Sequence, residues 1–241
     1  MNAFSRLSCI VLLAGIAVPA YGQYVYMRSN VSQPWGQSTN EDAMDNVFGA
    51  GAWTTLYYEQ FDSSYLFSSY VQFIFLEGGD SSFDAFSNFI STYGSSLTYW
   101  LNNGGRLLIM CAPNDPLNAE SITLPDGVSL NSAAYYGSAA NSAYATDTSN
   151  AIFNGPNSTA YYLTGNFFSH GYYSFATTHA TALMQSNLNE VVLGEDEVGA
   201  GLMLFGGLTT DNFQSPQPAA HSLLENIIYY TYYVTLPINF H

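Results

Sequence analysis

Val71-Gln72-Phe73-Ile74-Phe75-Leu76-Glu77-Gly78-Gly79-Asp80 is the stretch from which the architecture is read. Its apolar run is almost unbroken, as expected of a strand covered on both faces. It stops at two glycines and an acid. Beyond them Phe83, Phe86, Phe89 and Ile90 recur at helical spacing, and Leu97, Trp100 and Leu101 continue that face after a break near Gly94. Gly104-Gly105 closes the helix, and Leu107-Leu108-Ile109-Met110 reads as the next buried strand. Strand, helix, strand in this order makes a right-handed crossover between parallel strands.

Upstream, Val25-Tyr26-Met27 reads as a short buried strand. Ser38-Thr39-Asn40-Glu41 has the spacing of a capping box, and Ala43, Met44, Val47 and Phe48 then share a helical face that ends at Gly49 and Gly51. Trp53 to Tyr58 is β-prone. Downstream, the stretch from Pro113 to Thr164 is rich in Ser, Asn, Ala, Gly and Tyr with weak periodicity, which predicts short strands and loops. Glu190 to Leu193 and Gly201 to Phe205 read as a late antiparallel hairpin joined by an acidic turn. Leu223, Leu224, Ile227 and Ile228 form a last helical face. The expected fold class is α/β: a mostly parallel sheet with helices on both faces, flavodoxin-like in plan, and a late antiparallel hairpin. The expected organisation is one domain over 23–233 with a C-terminal tail at 234–241.

The charge balance narrows the function. Lys+Arg number 3 against 18 Asp+Glu, for a net charge of −15, and the three are Arg6, Arg28 and Arg106. Without lysine there is no basic patch for nucleic acid or for an anionic membrane surface. Disorder is excluded by a content of 48% hydrophobic and 16% aromatic residues. Residues 1–22 read as a signal peptide: Arg6 in the n-region, an apolar run from Leu7 to Val18, and Ala20-Tyr21-Gly22 before cleavage at Gln23. Cleavage leaves Cys111 as the sole cysteine, so no internal disulfide forms. The expectation is a protein secreted to the extracellular space, the periplasm or the cell surface, with no membrane insertion after the signal is removed.

Four stretches together resemble the class I glutamine amidotransferase-like fold. They are Phe73 to Asp80, Trp100 to Ile109, Asn150-Ala151-Ile152-Phe153-Asn154-Gly155-Pro156, and Gly199 to Gly207. The resemblance covers roughly Gln23 to Tyr233. It is nearest to the non-catalytic modules of this fold in bacterial secreted and surface proteins. The enzymes carry a cysteine nucleophile in a tight turn after a strand, and a histidine and a glutamate after the late strand. Cys111 falls at about the nucleophile position. Ile109 and Pro113 stand where the enzymes have glycine or alanine, and Phe205-Gly206-Gly207-Leu208 offers neither histidine nor acid. Only the cysteine carries over.

Cys111 as a nucleophile needs a base, and His170, in a loop-like segment, is the best substitute. Glu77, Asp80 and Asp115 cluster at strand ends, where ligands bind in such sheets, and are candidate ligand-binding residues for a sugar. Glu195-Asp196-Glu197, and Asp80 with Asp84, are dense enough to raise calcium, but neither has EF-hand spacing; a solvated turn and a helix N-terminal acid are preferred. No Cys/His cluster has zinc spacing, and no lysine follows a glycine pair, so no metal or cofactor is expected. Asn30-Val31-Ser32 and Asn157-Ser158-Thr159 are glycosylation sequons. The preferred reading is a non-enzymatic secreted or surface module with a protein or glycan partner, or a structural role. The alternatives are a cysteine-dependent hydrolase or amidotransferase relative, and a sugar-binding or sugar-processing protein.

Overall fold

The computed structural model describes residues 23–114, 121–132, 141–165 and 168–235. Residues 1–22, expected to be a signal peptide, Asp115 and the end of the expected C-terminal tail lie outside them. The elements run β1 (Tyr24–Arg28), α1 (Thr39–Phe48), β2 (Trp53–Tyr57), α2 (Ser63–Leu66), β3 (Phe73–Glu77), α3 (Phe83–Asn102), β4 (Arg106–Met110), β5 (Ser121–Thr123), β6 (Ser129–Ser132), β7 (Ser142–Ala145), β8 (Tyr162–Thr164), β9 (Gly171–Ser174), β10 (Thr181–Ser186), β11 (Val191–Val198), β12 (Gly201–Gly206) and α4 (Ala219–Tyr233). One sheet takes the order β2-β1-β3-β4-β12-β11-β10-β7-β8, with β9 on β11, β6 on β9 and β5 on β6.

The crossover unit forms as its sequence dictates. All five residues of β3 are buried, and they alternate between two cores. Ile74 and Leu76 meet Phe86, Phe89, Leu97 and Leu101 of α3. Phe73 and Phe75 face Met44 of α1 and Leu223 and Ile227 of α4. In β4, Leu107 and Ile109 join the first core and Leu108 joins the second. Helix α3 runs through Gly94 without the expected break. The capping box does not close: Ser38 makes no cap bond to the backbone, and Glu41 pairs with Arg28 at 3.3 Å instead.

The expectation of a mostly parallel, helix-flanked, flavodoxin-like sheet is corrected. Among the described residues four of the eleven strand pairings are parallel, confined to β2-β1-β3-β4-β12, and seven are antiparallel. The sheet is mixed, twelve-stranded with a branch at β11, and mostly antiparallel. A parallel step needs a long crossover, usually a helix. Between β4 and β12 the described segments are short strands and turns with no α-helix, so they add antiparallel neighbours. The late hairpin also differs in extent. β11 continues through Glu195-Asp196-Glu197, and the turn falls at Gly199, whose φ is +63°. The acidic run is strand, and alternation puts Asp196 on the opposite face from its two neighbours.

Candidate functional site at the strand ends

The carboxyl ends of β3, β4 and β12 bring together Glu77, Cys111 and His170. Glu77 is buried. Its Oε1 accepts the Gly79 backbone N–H at 2.6 Å, and its Oε2 accepts the Asn40 amide at 2.6 Å. Asn40 also donates to the Tyr26 hydroxyl at 3.1 Å, and the Tyr58 hydroxyl donates to the Glu77 carbonyl at 3.1 Å. Burial pushes the Glu77 carboxyl up to about 7; Glu41 and Asp80 add to the rise, and the two hydrogen bonds oppose it. A Cβ at position 79 would lie 2.7 Å from Glu77 Oε1, so a larger residue there would push the carboxylate aside.

Asp80 works as a clamp on the loop. It sits at a φ of +48°. Its Oδ2 accepts the Trp35 backbone N–H at 3.0 Å, and its Oδ1 accepts the Asn114 amide at 3.2 Å. The Trp35 ring in turn lies 5.2 Å from the His170 ring and 5.8 Å from the Phe213 ring. Asp115 lies outside the described residues.

Cys111 is fully buried, with its thiol donating to the Gly78 carbonyl at 3.1 Å. Burial, and then the Glu77 charge, push this thiol well above its ordinary range. A thiol held protonated is a poor nucleophile. His170 is also buried, and its imidazole bonds the Pro113 carbonyl. Burial pulls its affinity for a proton down, against opposing contributions from Pro113 and Asp80. Both residues are thus engaged with backbone carbonyls. Beside them is a small cavity of about 30 Å³, lined by Trp35, Asn40, Glu77, Met110, Thr209 and Asp211 among others. That volume suits a water, not a substrate. Behind it, His221 contacts Asp211 at 3.1 Å and Glu225 at 3.3 Å.

The larger opening is at the other end of the parallel strands. A cleft of about 1190 Å³ is lined by Tyr99, Trp100, Arg106, Glu197, Tyr232 and Tyr233, among others. Tyr99 is 72% exposed, so its ring is available for stacking, while the 48% exposed Tyr233 ring already packs against Tyr229 and Tyr232. Sequence reasoning missed this cleft, and it missed Trp35, Asn40 and Asp211. These side chains come from separate loops and helices, and no local spacing joins them.

No family model matches the chain, and no curated protein matches it. Solved structures do. A GMP synthase-like protein from Thermoplasma acidophilum superposes with a TM-score of 0.55 at 14% identity, covering 85% of this chain and 92% of that one. A cytoplasmic protein from Salmonella typhimurium gives a TM-score of 0.52 at 14% identity, covering 85% and 97%. At this identity the likeness is one of fold alone, and the fold is the amidotransferase-like one.

Proposed function

We propose that this chain is a secreted or cell-surface, non-enzymatic binding module on an amidotransferase-like fold, with a protein or glycan partner. The observation that carries the reading is the state of Cys111. At the position where the enzymes hold an ionisable nucleophile, this thiol is buried, protonated and bonded to a carbonyl. A hydrolase using Cys111 and His170 would have to break both backbone contacts first. A sugar site at Glu77 and Asp80 would have to displace the donors that already saturate them. Export rests on the signal-like character of residues 1–22. Binding has a place in the tyrosine-lined cleft, where flat aromatic faces offer apolar area with polar tips. The lysine-free composition supports neither nucleic acid nor an anionic membrane as partner, and no helix among the described residues is long and apolar enough to cross a membrane.

The test has two arms. The chain expressed with its leader in a secreting host should appear outside the cytoplasm with Gln23 as its first residue; retention inside with Met1 intact would remove the export half. The purified protein should hydrolyse neither glutamine nor activated esters. Turnover that disappears in Cys111→Ala would end the non-enzymatic reading.

A further inference from the structure

A second cluster of ionisable groups lies in the antiparallel half of the sheet, apart from the strand ends. Asp196, on β11 opposite Met203 of β12, is fully buried. Both of its carboxylate oxygens are enclosed and accept no hydrogen bond from an amide, hydroxyl or backbone donor among the described residues; what faces them is the Asp126 carboxyl, close enough to share a proton. Asp126, in the turn between β5 and β6, and His179, in the loop between β9 and β10, converge on it. One ligand atom from each of the three lies within 4.8 Å of the others. His179 Nδ1 is 3.7 Å from Asp126 Oδ2 and 2.9 Å from the Thr177 hydroxyl, which also accepts the His179 backbone N–H at 3.2 Å. Thr177 therefore holds the imidazole through the same nitrogen that faces Asp126, which leaves Nε2 as the nitrogen without a partner among the described residues.

A buried carboxylate without a donor needs a cation or a proton. This chain has no lysine. Of the described arginines, Arg28 is committed to Glu41, and Arg106 sits among Tyr230, Glu197 and Tyr232. The described residues thus set two carboxyls face to face and supply no fixed positive charge to match them. The third member is an imidazole, whose neutral form is a metal ligand.

We infer that Asp126, His179 and Asp196 form a site for a divalent first-row metal ion of the zinc class, tying the β5–β6 turn and the β9–β10 loop to the middle of β11. One imidazole nitrogen with two carboxylate oxygens suits zinc and its neighbours; calcium and magnesium prefer oxygen alone. Zinc bonds of about 2.0–2.2 Å place tetrahedral ligands about 3.4 Å apart. Asp196 is fixed by its strand, while Asp126 and His179 are exposed turn and loop residues that close onto it by rotamer adjustment. A fourth position faces solvent on their side and takes water. The site is independent of the binding role proposed above. It also departs from the sequence expectation of no metal, because its ligands are unevenly spaced along the chain.

The experiment is a calorimetric titration of the purified full chain, stripped with a chelator, with zinc chloride. The expected result is one zinc per chain and a thermal midpoint raised by about 5 °C or more at a hundredfold excess over the dissociation constant. His179→Ala, at an exposed position where folding is safe, and Asp196→Asn should each weaken binding roughly tenfold or more. No stoichiometric binding at millimolar zinc overturns the site, as does zinc bound equally well by both variants. Calcium chloride binding that His179→Ala leaves unchanged overturns the imidazole as a ligand and the metal class with it.

Discussion

Glu77 and Asp196 are both buried carboxylates on strands, and burial pushes each up to about 7, but the sheet supplies them differently. Glu77 ends β3 in the parallel half, where the next loop and α1 aim a backbone N–H and an amide at its two oxygens. Asp196 lies within β11 in the antiparallel half, where a second carboxyl faces it and no amide or backbone N–H among the described residues does. Burial alone therefore does not identify a functional acid. A saturated carboxylate is a joint between segments. An unsaturated one is a place for a ligand.

The most severe challenge to this contrast is to remove the joint. Glu77→Ala strands the buried Gly79 N–H, takes one of the two acceptors from the half-buried Asn40 amide, and opens a hole beneath Trp35. The orphaned donor costs about 1–3 kcal/mol and the hole adds to it, so urea denaturation should register a loss of about 4 kcal/mol. A loss under about 1 kcal/mol would mean that the strand-end loop is not held by this carboxylate.

The response to pH comes next in size. The folded-state pKa of Glu77 is raised from 4.5 to about 7, so the native chain holds this proton more tightly than the unfolded chain. Its contribution is fully present below pH 4.5 and is lost as pH rises through 7. The loss approaches about 3 kcal/mol by pH 8. The groups acting on it are Glu41 and Asp80, with Tyr26, Tyr58 and Cys111 also in its field. Arg28 is committed to Glu41. Glu77→Gln removes the proton. The Asn40 amide can turn to accept from the new side chain, with the Tyr26 hydroxyl donating to the same oxygen. Stability curves from pH 4.5 to 8 should therefore be flatter for the variant by that amount. Parallel curves would show that Glu77 titrates at its ordinary value.

These contrasts were unequally legible in the sequence. The β3–α3–β4 unit was readable because its burial is contiguous: each strand is an apolar run, and α3 keeps one face. Glu77 was readable as a strand-end acid for the same reason. The mixed sheet was not, because short Ser- and Asn-rich strands such as β7 and β8 carry little periodicity, and their pairing is set by turns. Glu195-Asp196-Glu197 reads as a solvated turn from composition. In the fold, the Tyr230 hydroxyl donates to Glu195 at 2.8 Å on one face, while Asp196 points the other way. Asp126 and His179 gave no signal, since a turn and a loop far apart in the chain deliver them.

A smaller effect separates the two acids in the absence of metal. In chelator-containing buffer at pH 8, Asp196→Asn should stabilise the fold by about 1 kcal/mol. The neutral amide removes a buried charge and can donate to Asp126, although its own oxygen stays unpaired. Glu77→Gln has less to gain, because its charge was already satisfied. Adding zinc should shrink or reverse the Asp196 result, since the wild type gains more from the ion than the weaker-binding variant. A variant that loses stability in chelator would mean that Asp196 has a donor, and the two carboxylates would no longer differ.

A change of similar size concerns the thiol that borders Glu77. Cys111→Ala removes one weak S–H···O contact to Gly78 and leaves a sulfur-sized gap beside Phe86. A Cβ added to Gly78 would come within 2.8 Å of both that sulfur and Phe86, so the backbone already packs closely and has little room to collapse further. The cost should be about 1–2 kcal/mol. In the native protein, iodoacetamide should modify Cys111 only at the rate of unfolding, because the thiol is both enclosed and protonated. Glu77→Gln removes one of the two influences that hold the thiol protonated, the neighbouring charge, and leaves burial untouched. Alkylation should therefore stay slow in that variant. Fast alkylation there, with slow alkylation in wild type, would assign the protection to the carboxylate and turn the joint at Glu77 into a control on the cysteine.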